Sequence, residues 1–151
     1  MKATGTAKGN YILQLILEKG KEIAVGKSKK QFFESGYYLY IGSAFGGGGV
    51  KSRLDRHLRS EKKLHWHIDY LLLETKIVSA WFILLDYSIE HKIAAEFIAT
   101  KNFKVGMNRF GSGDCNCVSH LFFSKKKMSL QTVNKVLSEC GEDKSRFHDY
   151  V

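Results

Sequence analysis

The stretch Tyr37-Tyr38-Leu39-Tyr40-Ile41-Gly42-Ser43-Ala44-Phe45 runs into four glycines, Gly46 to Gly49, and then into Val50-Lys51-Ser52-Arg53-Leu54-Asp55-Arg56-His57-Leu58. It reads as an aromatic strand, a flexible turn and a short basic helix. Alternation along the strand places Tyr38 and Tyr40 on one face and Tyr37, Leu39 and Ile41 on the other. In the helix, expected from about Val50 to Ser60, the residues Val50, Leu54 and Leu58 recur every four positions and mark a buried stripe. Arg53 and His57, also four apart, lie side by side at the edge of that stripe. A strand that brings tyrosines to the place where a helix brings cations is suited to handling an anion. The glycine run lacks the Gly-Lys-Ser/Thr ending of a P-loop and is expected to serve as a mobile turn beside the helix N-terminus.

Upstream, Asn10 to Leu17 is a β-rich apolar run expected as a central strand, with Glu22 to Gly26 as its hairpin partner. The basic connection from Lys27 to Ser35 carries Phe32 and Phe33, expected to fold back onto the sheet. Downstream, His65 to Leu73 predicts a short helix, and Lys76 to Asp86 the most buried strand. Ser88 caps a helix running to about Thr100, with Ile89, Ile93 and Phe97 inward. Val118 to Phe123 is the last expected strand. Ser129 caps a terminal helix that stops before Gly141, and a polar, mobile tail follows. This order predicts a single α+β domain: a small mixed, mainly antiparallel sheet flanked by helices, its core over residues 9–123 and a C-terminal helix and tail over 124–151.

The chain has 151 residues, 44% hydrophobic and 26% charged, which suits one folded domain and argues against disorder. Its formal charge of +9 favours a polyanionic partner, because Lys and Arg that neutralise phosphates release counterions. Lys51, Arg56, Arg59, Lys62 and Lys63 are candidate phosphate contacts, each of which singly reads equally well as solvated surface. No apolar run approaches the roughly 20 residues that span a bilayer. Met1 to Gly9 lacks the apolar core of a signal peptide, so a cytoplasmic chain with no membrane partner is expected. Three cysteines argue against a disulfide framework.

Tyr40-Ile41-Gly42, Arg53 with His57, and Tyr11 in Gly9-Asn10-Tyr11-Ile12 together resemble the motifs of GIY-YIG nucleases. Glu90, in Glu90-His91-Lys92-Ile93-Ala94, is the nearest match to that family's metal-binding glutamate. The closer resemblance is to the DUF123 branch, sometimes called Uri-type endonucleases and sometimes fused to endonuclease III-like DNA glycosylases. It rests on Gly36 to Ala44, Arg56 to Leu58, His65-Trp66-His67-Ile68-Asp69-Tyr70-Leu71, and the string Phe110 to Phe122 containing Asp114, Cys115, Cys117 and His120. Tyr11 and Tyr40 stand further apart than in the ordinary family. The extra hairpin through Lys21 to Gly26 is expected to absorb the difference and let them meet. Asn10 departs from the Ile that usually precedes the first motif's Tyr.

The resemblance implies a Mg²⁺- or Mn²⁺-dependent endonuclease acting on DNA in repair or processing, with a DNA glycosylase or another repair protein as a partner. Phosphodiester hydrolysis needs an attacking water and charge stabilisation on the phosphoryl oxygens. Tyr40 would take the water's proton if its pKa were lowered. Arg53 offers a planar fork to a nonbridging oxygen. His57 would orient the water or shuttle a proton, Tyr11 would join them, and Glu90 with several waters suits Mg²⁺. The plainer readings are a core tyrosine, a solvated helix face and a first-turn glutamate, with Glu96 as a rival ligand. Zinc is not expected. Cys115, Cys117 and His120 give three strong ligands where structural zinc takes four, and nothing in the sequence brings His65 or His67 to them. His65, His67, Asp69, Asp114, Cys115, Cys117 and His120 are instead expected to line the site. The alternative function is a non-catalytic nucleic-acid-binding module that recruits a repair enzyme. A third is an interaction domain bound through its aromatic surface.

Overall fold

A computed structural model describes residues 5–27, 29–100, 103–112, 116–139, 141 and 146–151. Its centre is β1 (Gly9–Leu17), which pairs on one side with β4 (Gly36–Ala44) and on the other with β5 (Lys76–Leu84). The sheet is extended by β7 (Leu121–Ser124) and β6 (Lys104–Val105) beyond β4, and by β8 (His148–Asp149) beyond β5. All of these pairings are antiparallel.

Both faces of β1 are covered, which explains its almost unbroken apolar run. Tyr11, Leu13, Leu15 and Leu17 share one core with Tyr38 and Tyr40. That layer holds Val50 and Leu54 of α1 (Gly49–Leu58) and Ile68 and Leu71 of α2 (His67–Leu72). Ile12, Leu39, Ile41, Trp81 and Ile83 form the opposite core. There they meet Ile93, Ala94 and Phe97 of α3 (Glu90–Ala99) and Val133, Val136 and Leu137 of α4 (Leu130–Glu139). The sheet is therefore the middle of three layers.

Two buried amides on β1 fasten the helical layer of the second core. The Gln14 side chain donates to the Met128 carbonyl at 3.2 Å and accepts from the Met128 N–H at 2.7 Å, just ahead of α4. The Asn10 side chain accepts from the Ile89 N–H at 3.0 Å and donates to the Tyr87 carbonyl at 3.1 Å, just ahead of α3. Each fully buried amide thus satisfies a backbone donor and a backbone acceptor where the chain leaves the sheet for a helix.

Several expectations are corrected. The segment Lys21–Ala24 (β2) pairs with Lys30–Phe33 (β3) in a separate two-stranded sheet, not with β1, so the expected basic connection is itself a strand. Phe33 enters the core, while Phe32 remains exposed. In α1 the inward residues are Val50, Leu54 and His57, and Leu58 is exposed. Offsets of four then three track the 3.6-residue turn better than offsets of four and four. The most buried strand is β1, because the outer part of β5 is covered only at Trp81 and Phe82 by β8. The end of the chain is docked as well: Phe147 is buried and the Tyr150 hydroxyl donates to Asp55 on α1. Ser129 caps α4 as expected, accepting from the Thr132 N–H at 3.2 Å.

Candidate active site

The expected residues converge at the end of the sheet where β1 begins and β4 ends. Tyr11 lies directly across from Gly42 in the β1–β4 register. A Cβ on Gly42 would sit 2.3 Å from Tyr11 Cζ and 2.4 Å from its Oη, so the tyrosine ring occupies the space a side chain would need. The glycine of Tyr40-Ile41-Gly42 is thus a seat for the tyrosine of the other strand. Tyr40, on the same face, brings its ring centroid to 6.3 Å from that of Tyr11. The β2–β3 hairpin takes up the intervening chain, and the two tyrosines meet.

Helix α1 supplies the next layer. The His57 Nε2 lies 2.8 Å from Tyr11 Oη, and the histidine is buried rather than at the cleft surface. Arg53, one turn earlier, donates to the Ser43 carbonyl at 3.2 Å and also hydrogen-bonds Tyr11. Its guanidinium carbon lies 4.4 Å from the Trp66 ring centroid, a cation–π contact that fixes the fork.

Glu90 arrives from the opposite layer. It is the first residue of α3, and the Asn10 clamp on Tyr87 and Ile89 immediately precedes it. Asn10 is also the neighbour of Tyr11, so one strand places the tyrosine and the carboxylate relative to each other. A cleft of about 300 Å³ is lined by Tyr11, Tyr40, Arg53, Glu90, His65 and His67, and further by Trp66, Gly111 and His120. Glu96, further along α3, does not line it. Asn10→Ala is expected to cost about 2–4 kcal/mol, since two buried backbone groups lose their partner. Denaturant unfolding reads that loss, and an effect below about 1 kcal/mol would discount the clamp.

Burial dominates the electrostatics. It pushes the Tyr11 hydroxyl up to about 12, against the opposing pull of Arg53, with Glu90 and Asp69 adding to the rise. Tyr40 is also raised well above the ordinary phenol, by burial first and then by Tyr11 and Glu90. The lowered pKa that Tyr40 would need to take the water's proton is therefore not what these surroundings produce. Burial takes His57 down to about 3, helped by Arg53, Arg56 and Lys62 and resisted by Asp69, so its imidazole is neutral at pH 7. Its Nδ1 is buried without a hydrogen-bond partner. Burial and the nearby His91 likewise hold His120 down, at about 4.

The remaining expected residues take varied places. Asp69 lies outside the cleft lining, fully buried, and accepts both terminal nitrogens of Arg56 at 2.8 and 2.9 Å. It also accepts the backbone N–H groups of His65 and Trp66. Its carboxyl, which burial alone would raise, is held at about 2 by these donors. Arg56 stacks on Trp66 at 4.5 Å as well, so it supports the cleft's floor. The Lys62 ammonium donates to the carbonyls of His57 and Arg59 at the end of α1. Lys51 pairs with Asp55 at 2.6 Å, and Arg59 and Lys63 are exposed. Cys117 and His120 come together with His91. Asp114 and Cys115 lie outside the described residues. Asn10 and Gly42 were not singled out as site residues from sequence. Asn10 had one signal, its departure from the apolar residue expected there.

The molecule is thus a three-layer α+β fold with a polar cleft at one end of its sheet. A family model described as "Domain of unknown function DUF123" matches residues 10–142, and the chain belongs to that family. No curated protein and no solved structure shows significant similarity to it. Among the described residues, no helix is long and apolar enough to cross a membrane.

Proposed function

We propose that the chain is a Mg²⁺-dependent DNA endonuclease of the GIY-YIG type, hydrolysing phosphodiester bonds in the cleft between β1, β4, α1 and the start of α3. The observation that carries this reading is Glu90. It comes from the opposite side of the sheet yet lines the same cleft as Tyr11, Tyr40 and Arg53. A binding module has no need of that arrangement. The basic charge of +9 suits the substrate's backbone.

The donors present fit a hard divalent cation. Glu90 offers a carboxylate at the rim of a cleft with room for several waters, and Mg²⁺ takes few protein ligands while keeping its waters. Glu90 would hold it, and a bound cation supplies charge stabilisation to the phosphoryl oxygens and an acidified water. Its charge would oppose the upward influence that Glu90 exerts on both tyrosines.

The chain's own residues account for the rest. Arg53, held by Trp66 and Ser43, presents N–H groups to a nonbridging phosphate oxygen. Tyr40 orients the attacking water from the same face. The water's oxygen bonds to phosphorus as the bond to the leaving alkoxide breaks. The water's proton passes to Tyr11 Oη while Tyr11's own proton moves to His57 Nε2 along their 2.8 Å hydrogen bond. The leaving alkoxide is protonated by solvent. His57, neutral because buried, has its Nε2 in place to accept; the same burial disfavours the imidazolium that forms, Asp69 favours it, and no free tyrosinate has to form. It therefore acts through Tyr11 rather than on the water itself.

The test is an assay of the purified chain on duplex, single-stranded and branched DNA with Mg²⁺ or Mn²⁺, alongside Glu90→Gln. Metal-dependent cleavage by the parent, lost in Glu90→Gln with the melting temperature unchanged, is the expected result. DNA binding without cleavage of any substrate would instead make the chain a recruiting module.

A further inference from the structure

A second cluster lies beside this cleft. His91 on α3, Cys117, and His120 just before β7 place their ligand atoms all within 4.8 Å of one another. His91 Nδ1 stands 3.0 Å from Cys117 Sγ. The His91 and His120 rings are 6.0 Å apart between centroids and steeply inclined at 68°, so they converge rather than stack. Around a tetrahedral zinc-class ion, nitrogen and sulfur ligands sit about 3.3–3.6 Å from each other, so small rotations of these side chains suffice.

The loop that carries two of the three is built to hold them. The Arg109 N–H donates to the Val118 carbonyl at 2.6 Å, and the His120 N–H to the Phe110 carbonyl at 2.9 Å. The Ser119 hydroxyl donates to the Met107 carbonyl at 2.6 Å, and the Arg109 guanidinium to the Cys117 carbonyl at 3.0 Å. Arg109 adopts a left-handed φ of 60°, a conformation that a non-glycine residue keeps only when its surroundings impose it. The backbone of Gly111 hydrogen-bonds the His120 ring, the kind of outer contact that fixes the ring plane of a metal-ligating histidine.

We propose that His91, Cys117 and His120 provide three ligands of a site for a borderline-soft divalent cation of the zinc class. The donors decide the class: two imidazoles and a thiol suit Zn²⁺ or Co²⁺ and are poor ligands for Mg²⁺. The site is separate from the oxygen-donor position at Glu90. Sequence spacing pointed to Cys115 with Cys117 and His120; the third ligand among the described residues is instead His91, which the fold brings across from α3. Binding converts the Cys117 thiol to a metal-bound thiolate and releases its proton to solvent, and the thiolate's charge offsets the nearby Arg109. The ion would clip the loop to the start of α3, the same turn that carries Glu90.

The test adds Co²⁺ to chelator-treated full-length chain. The expected result is a thiolate-to-cobalt charge-transfer absorption that appears with release of a proton and is displaced by Zn²⁺ but not by excess Mg²⁺. It should vanish in Cys117→Ser, weaken at least tenfold in His91→Ala, and persist in Glu90→Gln. His91 is exposed, so its replacement leaves folding intact and keeps the test readable. No absorption with the parent chain, or an unchanged one in Cys117→Ser or His91→Ala, overturns the proposal. Because the readout is binding, it stands or falls independently of nuclease activity.

Discussion

Arg53→Ala is expected to lower kcat for DNA cleavage by about 10³-fold, roughly 4 kcal/mol of transition-state stabilisation, with a much smaller change in KM. The reason is geometric. Arg53 lies against Trp66, bonds the Ser43 carbonyl and hydrogen-bonds Tyr11, so its fork is aimed before substrate arrives. Charge develops on the phosphoryl oxygens during the reaction, and a donor already in place stabilises it without reorganisation. Arg53→Lys should recover little, because an ammonium lacks both the planar fork and the stacking surface. Single-turnover cleavage beside a thermal melt separates chemistry from folding. A rate within tenfold of the parent would remove Arg53 from the mechanism.

Asp69→Ala is expected to be the most destabilising single change, by about 3–5 kcal/mol, because it breaks a buried ion pair from one side. The Arg56 side chain is only 20% exposed and Asp69 not at all. Removing the carboxylate strands the guanidinium and leaves the N–H groups of His65 and Trp66 without their acceptor. An apolar pair at both positions should restore the part owed to the stranded charge but not the part owed to the N–H groups of His65 and Trp66, which still lack an acceptor. The sign with pH follows from the same carboxyl. Its folded pKa, about 2, lies below the ordinary 3.8, so its contribution is present above about pH 4 and is lost as pH falls toward 2. Asp69→Ala should therefore flatten that part of the acid-unfolding curve. A loss below about 1 kcal/mol in urea would show the pair to be dispensable.

What was legible in the chain was whatever depends on local pattern. Alternation in Tyr37 to Ile41 gave the correct faces of β4, and the apolar run at Asn10 to Leu17 the central strand. Ser129 announced its helix. Strand pairing was not legible, because β2 and β3 find each other across a short turn while β1 reaches past them to β4 and β5. In the candidate site, the tyrosines, Arg53 and Glu90 were named as candidates by resemblance, and the cleft they line together is a matter of three-dimensional placement. His57 was placed only at the edge of the buried stripe because a spacing of four favoured Leu58; the helix's true period turned the imidazole fully inward. The clamp at Asn10 was invisible because its partners are backbone groups nearly eighty positions away. Cys117 looked for its companions nearby in sequence, and His91 is on another element.

The shortness of the outermost strands has its own consequence. β6 and β8 are two residues each and stand at opposite rims of the sheet. An incoming chain meets only a few backbone groups on either, against the nine-residue ladder that β1 forms with β4. Lys104 sets a charge on one rim, and Tyr150 and Val151 continue past β8 to bond Ala80 on the other. Such blunted rims discourage the strand-by-strand addition that turns open sheets into aggregates.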